Sequence, residues 1–334
     1  MYQDMFNGCT ALSTPPVMHL GATSTSCCQS MFYNCTSLTS TPVLSCQPTS
    51  TQSFCRAFQN CVSLRESDWS ISAIGVSALY CAFNGCTSLT SAPVINTWND
   101  STQSWNSVNN YGMAYMFQHC SSMASVDVSI GGYIGSNGMN TAFGRTAITS
   151  APTLNNLTSV GERGCNEMFG FCLDLSSAPD IPDVSGAGKQ GFRYIYAGCT
   201  GLTAAPEIRC SKTGEAMLYG MFQNCTNLVK PPSAISATMA KQACYGMFNG
   251  CTALTASPYL AAPTLVDSCY NGMFSNCSGL VQISANFSAW SPTNATTNWV
   301  NGVGSAGDFY CPASLPDTYG VNNIPTGWTR HDVA

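Results

Sequence analysis

Twenty cysteines in 334 residues are the densest supply of reactive groups in this chain. Ten of them form one column at a nearly constant interval: Cys9, Cys35, Cys61, Cys86, Cys120, Cys172, Cys199, Cys225, Cys251 and Cys277. Zinc chemistry needs tetrahedral ligand sets at short spacing, but the chain has no Cys-x-x-Cys pair, and its three histidines, His19, His119 and His331, are scattered. Disulfides are within reach, because residues stacked ~5 Å apart lie in the Cα range of a bridge. A ladder, however, would pair only alternately and in poor geometry. The column therefore reads as small, well-packed buried thiols, with no metal and no cofactor. Off the ladder, Cys27, Cys28, Cys55, Cys81, Cys165, Cys244 and Cys269 are expected to pack inward, and Cys46, Cys210 and Cys311 to be exposed.

Catalytic constellations are weak. A nucleophile needs a positioned base, and the histidines stand in unrelated contexts. Asp174, Asp180 and Asp183 cluster near Pro and Ser, which reads as a solvated loop and not as a glycosidase pair. Gly131-Gly132 lacks the Lys or third Gly of a phosphate-cradling loop. The better candidate is a binding surface. Trp98, Trp105 and Tyr111 sit among Asn, Ser and Gln in the stretch 96–112, a composition that can stack on a sugar or on a partner side chain. The competing expectation is that the tryptophans fold back as cover.

What must position these groups is a repeat. An anchor pair recurs at Met5-Phe6, Met31-Phe32, Ala57-Phe58, Ala82-Phe83, Met116-Phe117, Ala142-Phe143, Met168-Phe169, Ile195-Tyr196, Met221-Phe222, Met247-Phe248 and Met273-Phe274, in steps of 25–27 residues with one of 34. Such a period marks a solenoid. The cysteine follows the anchor by four residues and an aliphatic residue or Met by seven, as in Leu12, Leu38 and Leu254. In the copy at Ala142, one residue short, Arg145 is read as taking the cysteine slot. The longest step places the insertion at 96–112, and a second irregular patch, Asp127–Gly138, is expected beside it.

Apolar residues three before each anchor, such as Cys28, Phe54, Leu79 and Cys244, complete an i, i+3, i+4 face, which predicts a short helix ending near the aromatic. Gly or Asn before the cysteine suits a left-handed helix end. The following T-x-L-T-x-x-P-x-[VIL] phrase suits a short strand that its Pro keeps from full pairing. One unit cannot bury its apolar side alone, but stacked copies can. The expected fold is α/β, a leucine-rich-repeat-type solenoid of about eleven 26-residue coils, each a short helix, turn and short strand. Residues 1–283 form the solenoid, and 284–334, with Trp290, Trp299 and Trp328, a C-terminal capping region.

The phrase [MA]-F-x-x-C-x-x-L, as in MFNGCTAL at Met247–Leu254, resembles the BspA-like leucine-rich repeats of bacterial surface proteins, phage-encoded proteins and protist surface proteins. The resemblance covers Met1 to Ile283 and departs from the commonest form in placing Pro four residues after the Leu. It implies a superhelix used for display or adhesion. The ending is similar to those of phage and gut-bacterial relatives.

Composition narrows the partners. Only 8% of residues are charged, the net charge is −5, and the 11 Lys and Arg are unclustered, which argues against nucleic acid. No apolar run approaches the ~20 residues of a membrane span. Met1 opens directly onto a repeat, so further N-terminal sequence or a partner is expected to cover the first coil. The resulting expectation is a non-enzymatic surface or virion protein that binds a host protein or glycan through a solenoid face. The alternative is a structural spacer or tail-fibre component without its own ligand.

Overall fold

In the computed structural model, which describes residues 2–18, 20–184 and 187–333 (155 and 156 in their backbone alone), the expected helix in each coil is absent. Among the described residues there is no α-helix, and each anchor ends a chain of overlapping β-turns. In the second coil Cys27, Gln29, Met31, Tyr33 and Cys35 donate their amides to carbonyls three residues back, at 3.1–3.3 Å. The residues between them, Ser26, Cys28, Ser30, Phe32 and Asn34, donate instead to carbonyls of the third coil at 2.7–3.0 Å. Every residue of the run thus puts one backbone group into a turn and the other between coils, which leaves no orphan. A helix would bind each amide within its own coil and leave nothing to join the coils.

This arrangement requires a left-handed residue at every fourth position. Ser26, Ser30 and Asn34 have φ of 53°, 52° and 58°, and Gln242, Gly246 and Gly250 repeat the pattern at 55°, 58° and 79°. Positive φ at the third residue of a turn is the type II geometry. The Gly or Asn column expected to be left-handed is so, at Gly8, Asn34, Asn60, Gly85, Gly198, Asn224, Gly250 and Asn276, but it is one of three such columns. Turning in steps of four returns Cys28, Met31, Phe32 and Cys35 to one buried face. That is the spacing of a helix face, which is why the two look alike in sequence.

The chain divides into two compact units, Met1–Leu175 and Ser176–Ala334. In the first, Phe6, Phe32, Phe58, Phe83, Phe117, Phe143 and Phe169 stack at centroid spacings of 5.0–5.7 Å, nearly parallel. In the second, Tyr196, Phe222, Phe248 and Phe274 do so at 5.4–5.8 Å. Each fully buried ring contributes about 2–3 kcal/mol.

Beside the rings the thiols of Cys35, Cys61, Cys86, Cys120, Cys172, Cys225, Cys251 and Cys277 face inward, and each reaches back one coil. Cys61 Sγ donates to the Phe32 carbonyl at 3.1 Å and Cys120 to that of Phe83 at 3.2 Å. None of the twenty cysteines is in a disulfide, and all but Cys9 are buried. Cys46, Cys210 and Cys311, expected at the surface, are therefore corrections. The Trp69 indole covers Cys46, donating to its carbonyl at 3.0 Å, Cys210 Sγ donates to the Pro182 carbonyl at 3.4 Å, and Cys311 occupies an inward position of a strand. Thr146, not Arg145, fills the thiol slot of the short coil: it is buried and donates to the Phe143 carbonyl at 2.8 Å. Arg145 is in the left-handed column, with φ of 61°, and the missing residue falls between Thr146 and Ile148.

After the turns each coil crosses a parallel sheet. In the first unit β1 (Ser70–Ile71), β2 (Val94–Asn96), β5 (Val128–Ile134) and β6 (Thr153–Val160) pair in that order, while β3 (Trp98–Asn99) and β4 (Ser104–Trp105) form a separate antiparallel hairpin. Single bridges from Ser40 to Glu66, Ser91 and Ser125 continue the ladder ahead of the prolines. In the second unit β7 (Ala234–Ile235), β8 (Ala256–Leu260), β9 (Gln282–Ala285), β10 (Asp308–Pro312) and β11 (Thr329–Val333) are all parallel. The coil path continues beyond the last anchor: Phe274 donates to Trp299 and Asn276 to Asn301, so Trp299 takes the methionine slot and Val300 the aromatic one. Trp299 Nε1 and Trp328 Nε1 are tied to the carbonyls of Asn323 and Gly304 at 2.8 and 2.7 Å.

Candidate recognition site

The insertion leaves the coil at Thr97, whose amide donates to Ser129 at 3.1 Å, and returns at Asn106, whose amide donates to the Thr97 carbonyl at 2.7 Å. Between them β3 and β4 pair with Trp98 directly opposite Trp105. The tip is closed by the Asn99 carboxamide oxygen, which accepts from the amides of Ser101 and Thr102 at 3.0 and 3.3 Å. That is an Asx-type turn.

The two indoles meet edge to face at 5.3 Å, and both are half-buried. Trp98 Nε1 donates to Asp100 Oδ1 at 2.8 Å. Trp105 lies against Gly132 of β5, where an added Cβ would approach the Trp105 Cβ and carbonyl to 3.2 Å, so the hairpin rests on backbone. The irregular patch expected beside the insertion is this strand. The Trp105 indole N–H is buried and has no hydrogen-bond partner among the described residues. Asn106 and Asn109 fasten the return path, donating to the Ser72 and Ile74 carbonyls at 3.0 and 2.9 Å.

Tyr111 does not complete an aromatic triad with the tryptophans. It is exposed, occupies a left-handed slot with φ of 54°, and makes its ring contact with Tyr80 at 6.5 Å. Tyr80 in turn meets Tyr115 edge to face at 5.7 Å. Desolvation is the main cause that raises the Tyr80 and Tyr115 phenols above the ordinary range.

In the second unit Arg193 lies over the rings of Tyr194 and Tyr219, 4.5 and 5.0 Å from their centroids, and Tyr219 stacks on Tyr245 at 4.6 Å. Sequence reasoning missed this cluster, although aromatic residues one or two places before the anchors of three successive coils announce it. Burial pushes the Tyr219 phenol up to about 12.

The titratable candidates are tied into structure. Asp180 accepts from Arg209 at 2.6 and 3.2 Å and from the Glu207 amide at 3.0 Å, and the Arg209 hydrogen bond is the main cause that lowers its pKa. Asp183 accepts from the Ser211 amide at 3.3 Å. His331 Nε2 pairs with Asp308 Oδ1 at 2.7 Å, its ring stacked on Tyr310 at 4.7 Å. His119 occupies an exposed left-handed slot, and His19 lies outside the described residues. Among the described residues no group of three or more His, Cys, Asp or Glu could hold a metal ion, and no helix is long and apolar enough to cross a membrane.

Two family models match. Residues 1–98 and 26–145 match the family described as Mycoplasma protein of unknown function, DUF285, and residues 189–291 match the BspA type leucine rich repeat region. No curated protein matches. Among solved structures, a leucine-rich repeat protein from Bacteroides ovatus is 15% identical over 98% of this chain and 86% of its own, with a TM-score of 0.44. A leucine rich cell surface protein from Faecalibacterium prausnitzii is 16% identical over 81% and 86%, with a TM-score of 0.28. Coils of one period, buried aromatic, thiol and aliphatic columns, and the family match converge: this chain carries, at residues 189–291, a BspA-type leucine-rich repeat region.

Proposed function

We propose that the chain is a non-enzymatic recognition and adhesion module, displayed on a bacterial cell surface or a phage particle, which binds a host protein or glycan through the flank bearing Trp98 and Trp105. The observation behind this reading is the hairpin. It departs from the coil path, rests on the Gly132 backbone, and carries two half-buried indoles beside Asn, Ser, Thr and Gln side chains. Flat rings beside Asn, Ser and Gln suit carbohydrate or tyrosine-rich protein surfaces, where stacking and neutral hydrogen bonds supply the contact. The BspA-type repeat region supports the adhesive role. Asp180 and Asp183 are tied to the next coil, by Arg209 and by the Ser211 amide, which supports a non-catalytic one.

Glycan arrays and host-protein pull-downs with the full chain test this. Replacing Trp98 and Trp105 by Ala should weaken the ligand found by about tenfold or more, the range of an interface hot spot, and leave the denaturation midpoint in place. Equal loss of stability would mean that the rings serve as cover. A second reading, a spacer without its own ligand, draws on the unbroken inter-coil hydrogen bonding within each unit, and it predicts that both screens stay empty.

A further inference from the structure

A surface recess of about 340 Å³ lies beside the short coil at Ala142, walled by Ser121, Arg145, Phe171, Leu173 and Asp174. Resting on the reading that the chain is a recognition module, we propose that this notch binds the carboxylated terminal sugar of an acidic glycan, with Arg145, held over Phe171, on the carboxylate and Leu173 against the sugar ring.

Arg145 is held for such a role. Its guanidinium carbon sits 4.6 Å from the centroid of the Phe171 ring, which leaves the N–H edges free to donate. Among the described residues Arg145, like Arg56, Arg65, Arg193, Lys212 and Lys230, forms no ion pair, and what sets it apart is the recess and the ring beside it. Asp174 shares the cavity with Arg145, and no ion pair joins them among the described residues. A cation and an anion kept apart in one recess fit a ligand with a carboxylate at one end and hydroxyls at the other. The guanidinium fork binds a carboxylate in bidentate fashion, and Asp174 and Ser121 can accept from hydroxyls. Leu173, 56% exposed, offers an apolar contact to the face of a sugar ring. A polyanionic peptide fits less well, because Asp174 would repel its second charge.

The column filled by Gly or Asn in eight coils carries Arg145 and Phe171 here, with φ of 61° and 60°, so Asn suits the backbone at either position.

The test uses the full chain on an array of oligosaccharides ending in sialic or glucuronic acid, each beside its neutral counterpart, followed by calorimetry with the tightest. Carboxylated sugars should bind and their neutral counterparts should not, and binding should weaken with salt. Arg145→Asn removes the charge while suiting the left-handed backbone, so the coil should fold at least as well while affinity falls by about tenfold or more. Arg145→Lys should recover part of it. Equal binding of neutral sugars, no binding of any carboxylated sugar, preference for an acidic peptide, or an unchanged affinity in Arg145→Asn would each overturn the proposal. A ligand lost on replacing Trp98 and Trp105 but indifferent to Arg145 would remove this site and keep the recognition reading; no ligand at either place would remove both.

Discussion

The thiol of Cys251 donates to the backbone carbonyl of Phe222, one coil back, over 3.0 Å. Cys225 reaches Tyr196 at 3.1 Å and Cys277 reaches Phe248 at 3.0 Å in the same way. The cysteine column is therefore a column of donors, each clasping the carbonyl beside a stacked ring. This separates two views of a buried thiol, as apolar filler or as a hydrogen-bonding clasp.

Replacing Cys251 decides between them. Cys251→Ala removes the donor and leaves a small void, and should cost about 1–3 kcal/mol in denaturant unfolding. Cys251→Ser keeps a donor and should cost less. For a filler the order reverses, since a buried hydroxyl without a partner is worse than a methyl group.

Thiol reactivity should split nineteen to one. Cys9 is exposed and the others are buried, so a disulfide reagent at neutral pH should modify one thiol quickly in the native protein and twenty after unfolding. A count far below twenty in the unfolded, unreduced chain would reveal bridges and contradict the clasp.

Alkali should weaken the fold through the same groups. Burial pushes Cys61, Cys165, Cys225 and Cys277 up to about 12. An unfolded thiol titrates near 8.5, so between these values the unfolded chain has lost protons that the native chain retains. Stability is then full below about pH 8.5 and falls progressively toward pH 12. A midpoint that stays constant from pH 8 to pH 11 would contradict this.

The left-handed columns give opposite outcomes at two neighbouring positions. Gln242, with φ of 55°, should gain up to about 1 kcal/mol on replacement by Asn, which tolerates that region better. Gly250, with φ of 79°, should lose more than that as Ala, because its Cβ would stand 2.4 Å from Asn224 Oδ1. Thermal melts of the two variants read the difference.

Trp105→Phe deletes the buried indole N–H that has no partner among the described residues, so it should leave stability unchanged or slightly raised. A loss above about 2 kcal/mol, the scale of a buried hydrogen bond with its desolvation, would place an acceptor beside Trp105.

The period, the buried aromatic and aliphatic columns and the inward-facing thiols were legible in the sequence, because stacking like on like requires one residue type per column. The path of the backbone was not. Cys28, Met31, Phe32 and Cys35 have the spacing of a helix face, and a turn chain with a four-residue step buries the same set. The discriminating signal lay on the other face, in the spacing of Ser26, Ser30 and Asn34 and of Gly246 and Gly250, residues that tolerate positive φ or avoid helix interiors. Thr146 was mistaken because the deletion was set before the thiol slot and not after it. In the candidate site the insertion and its aromatic residues were legible, but not the hairpin that sets Trp98 opposite Trp105 across the loop 100–103, and the departure of Tyr111 depended on its being the first left-handed residue of the next coil.

Through-hydrogen-bond scalar coupling in the labelled protein tests the turn-chain coil most directly. The Phe248 amide nitrogen should couple to the carbonyl carbon of Met273, across the 2.9 Å bond to the next coil, and the Met247 amide to that of Cys244. Coupling of Phe248 to Cys244, four residues back in its own coil, would restore the helix and contradict the account.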